Sequence, residues 1–353
     1  MLPMVSVVIP VYNAESFISE MLDDLISQTY KEWEVILVDD GSSDNSTKIC
    51  ESYVSKDNRF SLYKRPKEIP KGGNSCRNYG MELARGKYII WLDADDRIAT
   101  YCLEQRVSFM EKNDLVDIAV FPAINLRDKH LNIVKFALGF DIPANPIRFF
   151  IQGCIWFAVW TNIYRLKSLS DHNIRWSEGL ASRQDCDFNL TCMNKNLRFE
   201  NGKGLPDYFY RVATNQNSIS KGINKGKSRA TVDFFDLQYN KFKDLKGVPM
   251  KSLVHYVYEC VILQNSNDVI NEFFNAEYFR KNVIDHCKFR LLMKMGTKLP
   301  TRMRSIFKLS LFPYSYLKYR NVKINTNRVI TEWISYASDL KIEWAKKNES
   351  IIA

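Results

Sequence analysis

The feature that most limits how this chain can fold is a change of hydrophobic period along its first 125 residues. Short apolar runs alternate with stretches in which apolar residues recur every three to four positions. Val5–Ile9 is an apolar run of strand length, as a strand buried on both faces requires, and Pro10 and Asn13 end it. Residues 14–29 then place Phe17, Ile18, Met21, Leu22, Leu25 and Ile26 at helical spacing. Trp33–Val38 is a second strand, stopped by Asp39-Asp40-Gly41-Ser42-Ser43; Ser43 or Asp44 can cap a helix running to about Ser55. Phe60–Tyr63, Tyr88–Leu92 and Val116–Phe121 read as further strands. Gly72-Gly73-Asn74 opens a helix ending near Gly86, and another helix covers roughly 101–113. This rhythm predicts an α/β fold: a mostly parallel sheet with helices on both faces.

The remaining residues are less regular. Residues 122–225 hold aromatics, a polar cluster at 182–187 and a strand-like Tyr208-Phe209-Tyr210. From Thr231 onward the apolar spacing is helical. The expected organisation is one domain over 1–225, in two halves (1–100 and 101–225), followed by a basic helical extension over 226–353. No apolar run approaches the length of a membrane-spanning helix, and the N-terminus lacks the regions of a secretory signal. The eight cysteines form no CxxC pair and read as reduced thiols, so a cytoplasmic location is expected.

Open α/β sheets bind ligands at the carboxyl ends of their strands. Three strand ends here are rich in chemistry: Pro10-Val11-Tyr12-Asn13, Asp39-Asp40-Gly41-Ser42-Ser43-Asp44, and Asp93-Ala94-Asp95-Asp96. Carboxylates crowded together without basic partners repel one another, and a divalent cation offsets that cost. Hard ions such as Mn²⁺ or Mg²⁺ take carboxylate oxygens and keep phosphate oxygens as further ligands. The third strand end therefore suits a metal–diphosphate complex. There is no GxGxxG after the first strand and no GxxxxGK[ST] anywhere, which disfavours a dinucleotide-dependent dehydrogenase and a P-loop NTPase.

Five blocks, in order, resemble family 2 glycosyltransferases, which have the GT-A (Rossmann-like) fold. They are Val5–Asn13, Val38–Asp44, Gly73–Gly80 with Ala84 and Gly86, Trp91–Asp96, and Gln184-Asp185-Cys186-Asp187-Phe188. The resemblance implies an inverting enzyme that uses a nucleotide sugar, with 1–100 as its nucleotide-binding half and 101–225 as its acceptor half. Pro10, Val11 and Tyr12 would line the base pocket, with Tyr12 stacking on uracil or another base. Asp39, with Asp40 as the alternative, would accept a hydrogen bond from the base. Arg77 would approach the diphosphate and Asn74 would contact the nucleotide. Asp93, with Ala94, would reach the ribose or sugar, and Asp95 would ligate the metal with Asp96 beside it. Asp185 would be the general base, with Asp187 as its competitor. Family members commonly carry Glu where this chain has Gln184, which puts any acceptor-holding role of that residue in doubt. Arg211, in a weaker block, would close over the diphosphate. Turn and cap chemistry is the plainer account of Asp40 and Ser42, and a core aromatic that of Tyr12.

The net charge of +10 asks for an anionic partner. Between Arg280 and Lys323 lie 12 Lys or Arg and one acidic residue, interleaved with Phe289, Leu291, Leu292, Phe307 and Phe312. Such a segment is either a solvated helix face or a surface that lies on anionic lipid, placing the enzyme on the inner face of the membrane. No nucleic-acid module is present, so no nucleic-acid partner is expected. A nucleotide-sugar donor and a glycan or lipid-linked glycan acceptor are the expected partners. The competing expectation is a non-catalytic, nucleotide-sugar-binding or scaffolding subunit of a polysaccharide assembly complex.

Overall fold

A computed structural model describes residues 4–127, 130–133, 158–180, 183–202, 204–211 and 234. The expected alternation is present. Strand β1 (Val5–Val11) leads through helix α1 (Ile18–Ile26) to β2 (Trp33–Asp39), and α2 (Ser46–Val54) leads to β3 (Phe60–Lys64). Helix α3 (Gly73–Leu83) precedes β4 (Tyr88–Trp91), and a short β5 (Arg97–Ile98) precedes α4 (Cys102–Lys112). After these come β6 (Ile118–Val120), β7 (Ala123–Arg127), β8 (His130–Ile133), β9 (Asn162–Arg165), α5 (Leu166–Asp171), α6 (Gln184–Asn194), β10 (Phe199–Asn201) and β11 (Tyr208–Arg211).

Seven strands form the main sheet in the order β10-β6-β9-β4-β1-β2-β3. Strands β3, β2, β1 and β4 are mutually parallel. The order reverses at β1, because β2 and β3 lie on one side of it and β4 on the other. This is the switch point at which open α/β sheets leave a crevice. Strand β9 runs antiparallel between β4 and β6, an insertion the hydrophobic rhythm did not announce. Strands from both sides of residue 100 share this sheet, so it runs across the expected division at that residue. The proposed boundary at 225 and the helical region beyond it lie outside the described residues, apart from Phe234.

Both faces of β1 are buried, and period two sorts its residues between them. Val5, Val7, Ile9 and Val11 join Ile18, Met21, Leu22 and Leu25 of α1 in one core cluster. On the opposite face α3 lies against Val8, and a Cβ on Gly80 would stand 2.3 Å from the Val8 Cγ1. Only glycine permits that approach. The residue at the cap of α2 is Asn45 and not Ser43 or Asp44, and Asp44 instead ties the turn together. Its carboxylate accepts from the Ser46 amide (3.0 Å) and from the Glu15 amide (3.0 Å), tying the turn after β2 to the turn after β1.

A second sheet, β5-β11-β7-β8, stands beside the end of β4. A fully buried ion pair anchors its β11 strand. Asp207 receives Arg106 Nε at 2.8 Å and Nη2 at 2.6 Å, and Arg106 Nη1 reaches the Trp160 carbonyl at 3.0 Å. Arg106 and Asp207 lie about a hundred residues apart in sequence, and no local pattern links them.

Candidate active site

The parallel register brings the three predicted strand ends to one edge. Val11 lies opposite Asp39 across the β1–β2 pair, and the Leu92 amide donates to the Val8 carbonyl (3.1 Å) just beyond β4. The crevice between the β1 and β4 ends is thus flanked by Tyr12 and Asp93. Tyr12 is half exposed, which removes the core-aromatic account of it. Gly41, at φ +85°, turns the chain after β2 so that the buried Asp39 carboxylate accepts from the Gly41 amide (3.3 Å) and the Ser42 amide (3.0 Å). Asp40 is buried differently: Arg65 Nε reaches it at 2.5 Å and the Gly72 amide at 3.2 Å. Its charge is committed to the loop framework, in line with turn chemistry.

Helix α3 supplies the basic side of the crevice. Arg77 is buried and donates through Nη2 to Asp93 (2.8 Å) and through Nη1 to Asn74 Oδ1 (3.2 Å), while its guanidinium lies 4.8 Å from the Trp176 ring centroid. Among the described residues Arg77 Nε has no hydrogen-bond partner. Asn74 is engaged at both ends, because its Nδ2 donates to the carbonyls of Ser177 (2.8 Å) and Leu180 (3.2 Å). One turn later Asn78 donates to the Trp176 carbonyl (3.0 Å) and accepts from the Trp176 amide (2.8 Å). Asn74 and Asn78 therefore clamp the 176–180 segment, and Asn74 also fixes Arg77. Sequence reasoning missed this segment, since its contacts to α3 span about a hundred residues.

The clamped segment leads to α6, which carries Asp185 in its first turn. Phe188, one turn on, is fully buried among Trp91 (5.1 Å between centroids), Tyr164 (5.7 Å) and Trp176 (4.4 Å, stacked). Such aromatic contacts hold the start of α6 against the end of β4. Arg183 precedes the helix at φ +60°, a left-handed conformation costly for a non-glycine residue. Asp185 has no hydrogen-bonding partner among the described residues. Burial raises its pKa to about 6, against the lowering effect of Arg77 and with the assistance of Asp93, so all three charges face one space. Asp187 points elsewhere: it is buried and accepts from Ser177 Oγ at 2.5 Å. Gln184 is half-buried.

The acidic turn after β4 is sorted by its contacts. Ala94 is buried. Asp96 is fully enclosed, accepting from the Tyr208 hydroxyl and from the Arg211 amide (2.6 Å), and burial with the neighbouring Asp95 and Asp93 charges raises its pKa well above the usual range. Asp95 is exposed at the rim, yet crowding by the surrounding protein and the Asp93 charge raise it to about 6. Arg211 arrives through the β5–β11 pairing and donates to the Asp95 carbonyl (2.7 Å) and to Glu20 (2.7 Å). Asp93 and Asp95 are hard oxygen donors two residues apart, the kind of set that Mn²⁺ or Mg²⁺ takes. Among the described residues no group of three Asp, Glu, His or Cys converges. An ion held here would need further ligands from outside the described residues.

Residues 6–167 match the family described as Glycosyl transferase family 2. Through that segment, just under half of the chain, it is similar to the family. A relative in Bacillus subtilis, "Uncharacterized glycosyltransferase EpsJ", is 30% identical over 63% of this chain and 64% of its own length. The chain spans 44% to 64% of the length of the first four curated relatives it matches. Among solved structures, S. aureus TarS 1–349 in complex with UDP-GlcNAc is similar at a TM-score of 0.63 and 18% identity, over 90% of this chain and 93% of that one. Mannosyltransferase PcManGT from Pyrobaculum calidifontis, in complex with GDP-Man and Mn²⁺, is similar at 0.51 and 15% identity, over 96% and 88%. At those identities the likeness concerns the fold, and that fold is GT-A, as the sequence blocks implied.

The described cysteines carry no chemistry of this kind. Cys50, Cys76, Cys102 and Cys192 are buried thiols in no disulfide, and burial pushes Cys50 and Cys76 up to about 12. Among the described residues no helix is long and apolar enough to cross a membrane.

Proposed function

We propose that this chain is an inverting glycosyltransferase that moves a hexosyl or N-acetylhexosaminyl group from a nucleoside-diphosphate sugar, UDP-linked in this reading, to a hydroxyl of a glycan or lipid-linked glycan in cell-surface polysaccharide synthesis. The observation that carries the reading is Asp185: a half-buried carboxylate with a raised pKa, facing Arg77 and Asp93 across the crevice at the switch point. A solved neighbour binds UDP-GlcNAc, which supports a nucleotide-sugar donor.

In this mechanism the base stacks at Tyr12 beside Pro10, Val11 and Asp39, and Asp93 with Ala94 meets the ribose or sugar. Asp185 takes the proton of the acceptor hydroxyl as its oxygen forms a bond to the anomeric carbon. The bond from that carbon to the diphosphate oxygen breaks on the opposite face, so the configuration inverts and the nucleoside diphosphate leaves. Arg77, held by Asn74, meets the charge that develops on the leaving group. Asp95, with Asp93, would hold Mn²⁺ or Mg²⁺, whose charge stabilises the same diphosphate. Asp187, Asp96 and Asp40 act as framework. Arg211 stays close enough to the β4 end to move onto the diphosphate.

A panel of nucleotide sugars scored for release of nucleoside diphosphate tests this. Release should stop in excess chelator and return with Mn²⁺. Release that survives chelation would remove the metal role of Asp95, and no release from any donor would favour the scaffolding reading. The basic segment 280–323, outside the described residues, is proposed to seat the enzyme on an anionic membrane face near a lipid-linked acceptor. Co-sedimentation with phosphatidylserine vesicles but not with phosphatidylcholine vesicles is the expected result.

A further inference from the structure

The loop from β3 to α3 is wound round one guanidinium. Arg65 closes on Asp40 and also donates through Nη1 to the carbonyls of Pro66 (2.9 Å) and Ile69 (2.5 Å). At the far end of the loop Gly72, at φ +141°, gives its amide to the same Asp40 oxygen. Between these anchors the side chain of Lys71 is exposed, with Nζ 4.1 Å from the centroid of the Tyr12 ring. The two residues come from different loops, so the buried Asp40–Arg65 pair is what delivers this cation to the end of β1.

That distance decides what can share the ring face. A base lying on Tyr12 needs a van der Waals separation of about 3.5–4 Å. The ammonium already occupies that layer, so base and ammonium cannot both have it. An exposed cation–π contact is worth about two- to fivefold in affinity. A charge-assisted hydrogen bond to phosphate is worth about tenfold or more. A lysine stem is flexible and its ammonium has three donors to offer.

We infer that Lys71 is the exchangeable occupant of the Tyr12 face: it covers the ring until a nucleotide base takes its place, and its ammonium then engages the phosphates of that nucleotide. This rests on the nucleotide-sugar reading above. It makes Lys71 a donor-binding residue that discriminates nucleoside diphosphates from bare nucleosides. For the diphosphate the lost ring contact is replaced by a stronger one. For the nucleoside it is simply lost.

Ligand-observed NMR titrations of the full chain with uridine, UDP, guanosine and GDP test the exchange at fixed Mn²⁺. For whichever base binds the wild type, Lys71→Ala should weaken the diphosphate about tenfold and strengthen the nucleoside about two- to fivefold. Lys71→Arg should keep diphosphate affinity within about threefold, because the positive charge remains. Thermal melts of both variants should match the wild type, since the side chain is exposed. Equal weakening of both ligands, or no change in either, would overturn the inference and leave the nucleotide reading standing. A wild-type chain that binds none of the four would overturn both.

Discussion

Asp185→Asn keeps the shape of the side chain and removes the charge, and three quantities then move in known directions. The first is turnover. Loss of a positioned general base costs about 10²- to 10⁴-fold, while donor affinity should stay within about threefold because Asp185 meets the acceptor and not the nucleotide. The second is the acid limb of the wild-type enzyme. With a pKa of about 6, the carboxyl is about nine-tenths ionised at pH 7 and about one-tenth at pH 5, so turnover should fall nearly tenfold over that interval. A carboxyl at the ordinary 3.8 would leave turnover almost flat there. Asp95 titrates in the same window, so the measurement needs saturating donor and fixed Mn²⁺, with donor affinity followed separately. The third quantity is stability. Burial raises the folded-state pKa, so the folded protein binds the proton more tightly than the unfolded chain. Folding is therefore penalised above about pH 6, and the penalty vanishes below about pH 4. Asp185→Asn should stabilise the fold at pH 7 by on the order of 1–2 kcal/mol, with partial solvent screening allowed for, and by nothing near pH 4. Urea titrations at the two pH values read this directly. A variant that turns over within threefold of wild type, or that is less stable than wild type at pH 7, would refute the assignment of Asp185 as a desolvated base.

Three further substitutions probe the framework. Asp207→Asn leaves Arg106 fully buried without its counter-charge and should cost about 3–5 kcal/mol in urea denaturation, whereas Arg106→Met with Asp207→Leu should cost much less; equal costs would mean that the pair is not the anchor of β11. Phe188→Ala empties the centre of the aromatic cluster and should cost about 3–5 kcal/mol, with kcat falling far more than donor affinity in enzyme assayed below its melting point. Gly80→Ala drives a methyl group into Val8 and should cost about 1–3 kcal/mol, partly recovered by adding Val8→Ala; full stability in the single variant would contradict the close approach of α3 to β1.

What was legible in the sequence follows the range of the interactions. Strands β1 to β4 and helices α1 to α4 were readable because each buries its own periodic face, and that face is written in consecutive residues. The strand-end acids were readable because a parallel sheet sends its carboxyl ends to one edge. The antiparallel β9 was not readable: three of its four residues are buried between β4 and β6, and nothing local tells so short a strand from the turn and helix on either side of it. The second sheet was half legible, through Tyr208-Phe209-Tyr210 alone. Within the site, Asn74 looked like a ligand contact from its place in the block. Only the fold shows that its amide is spent on the 177 and 180 carbonyls and on Arg77. Lys71 carried no local signal at all, since what matters about it is a tyrosine sixty residues earlier.

The crevice also explains how so many acids can share one edge of a sheet. Left bare they would repel, and each unpaired one would be driven toward its neutral form. Asp40 is held by Arg65, Asp93 by Arg77, and Asp96 by the Tyr208 hydroxyl and a backbone amide. Asp187 is held by Ser177. Asp95 and Asp185 are left with no side-chain donor among the described residues, and both sit near pH 6. In the proposed reaction each would gain a partner: a divalent ion with a diphosphate for the exposed Asp95, and an acceptor hydroxyl proton for the half-buried Asp185. Arg211 and Arg77 act on them from a distance and lower the cost without neutralising it. Among the described residues the acids that build the crevice are paired, and the two that the proposed reaction would pair with groups from solution are not. The formal charge of the whole chain then says little about the proposed reaction, because that chemistry depends on two carboxylates left unpaired among the described residues.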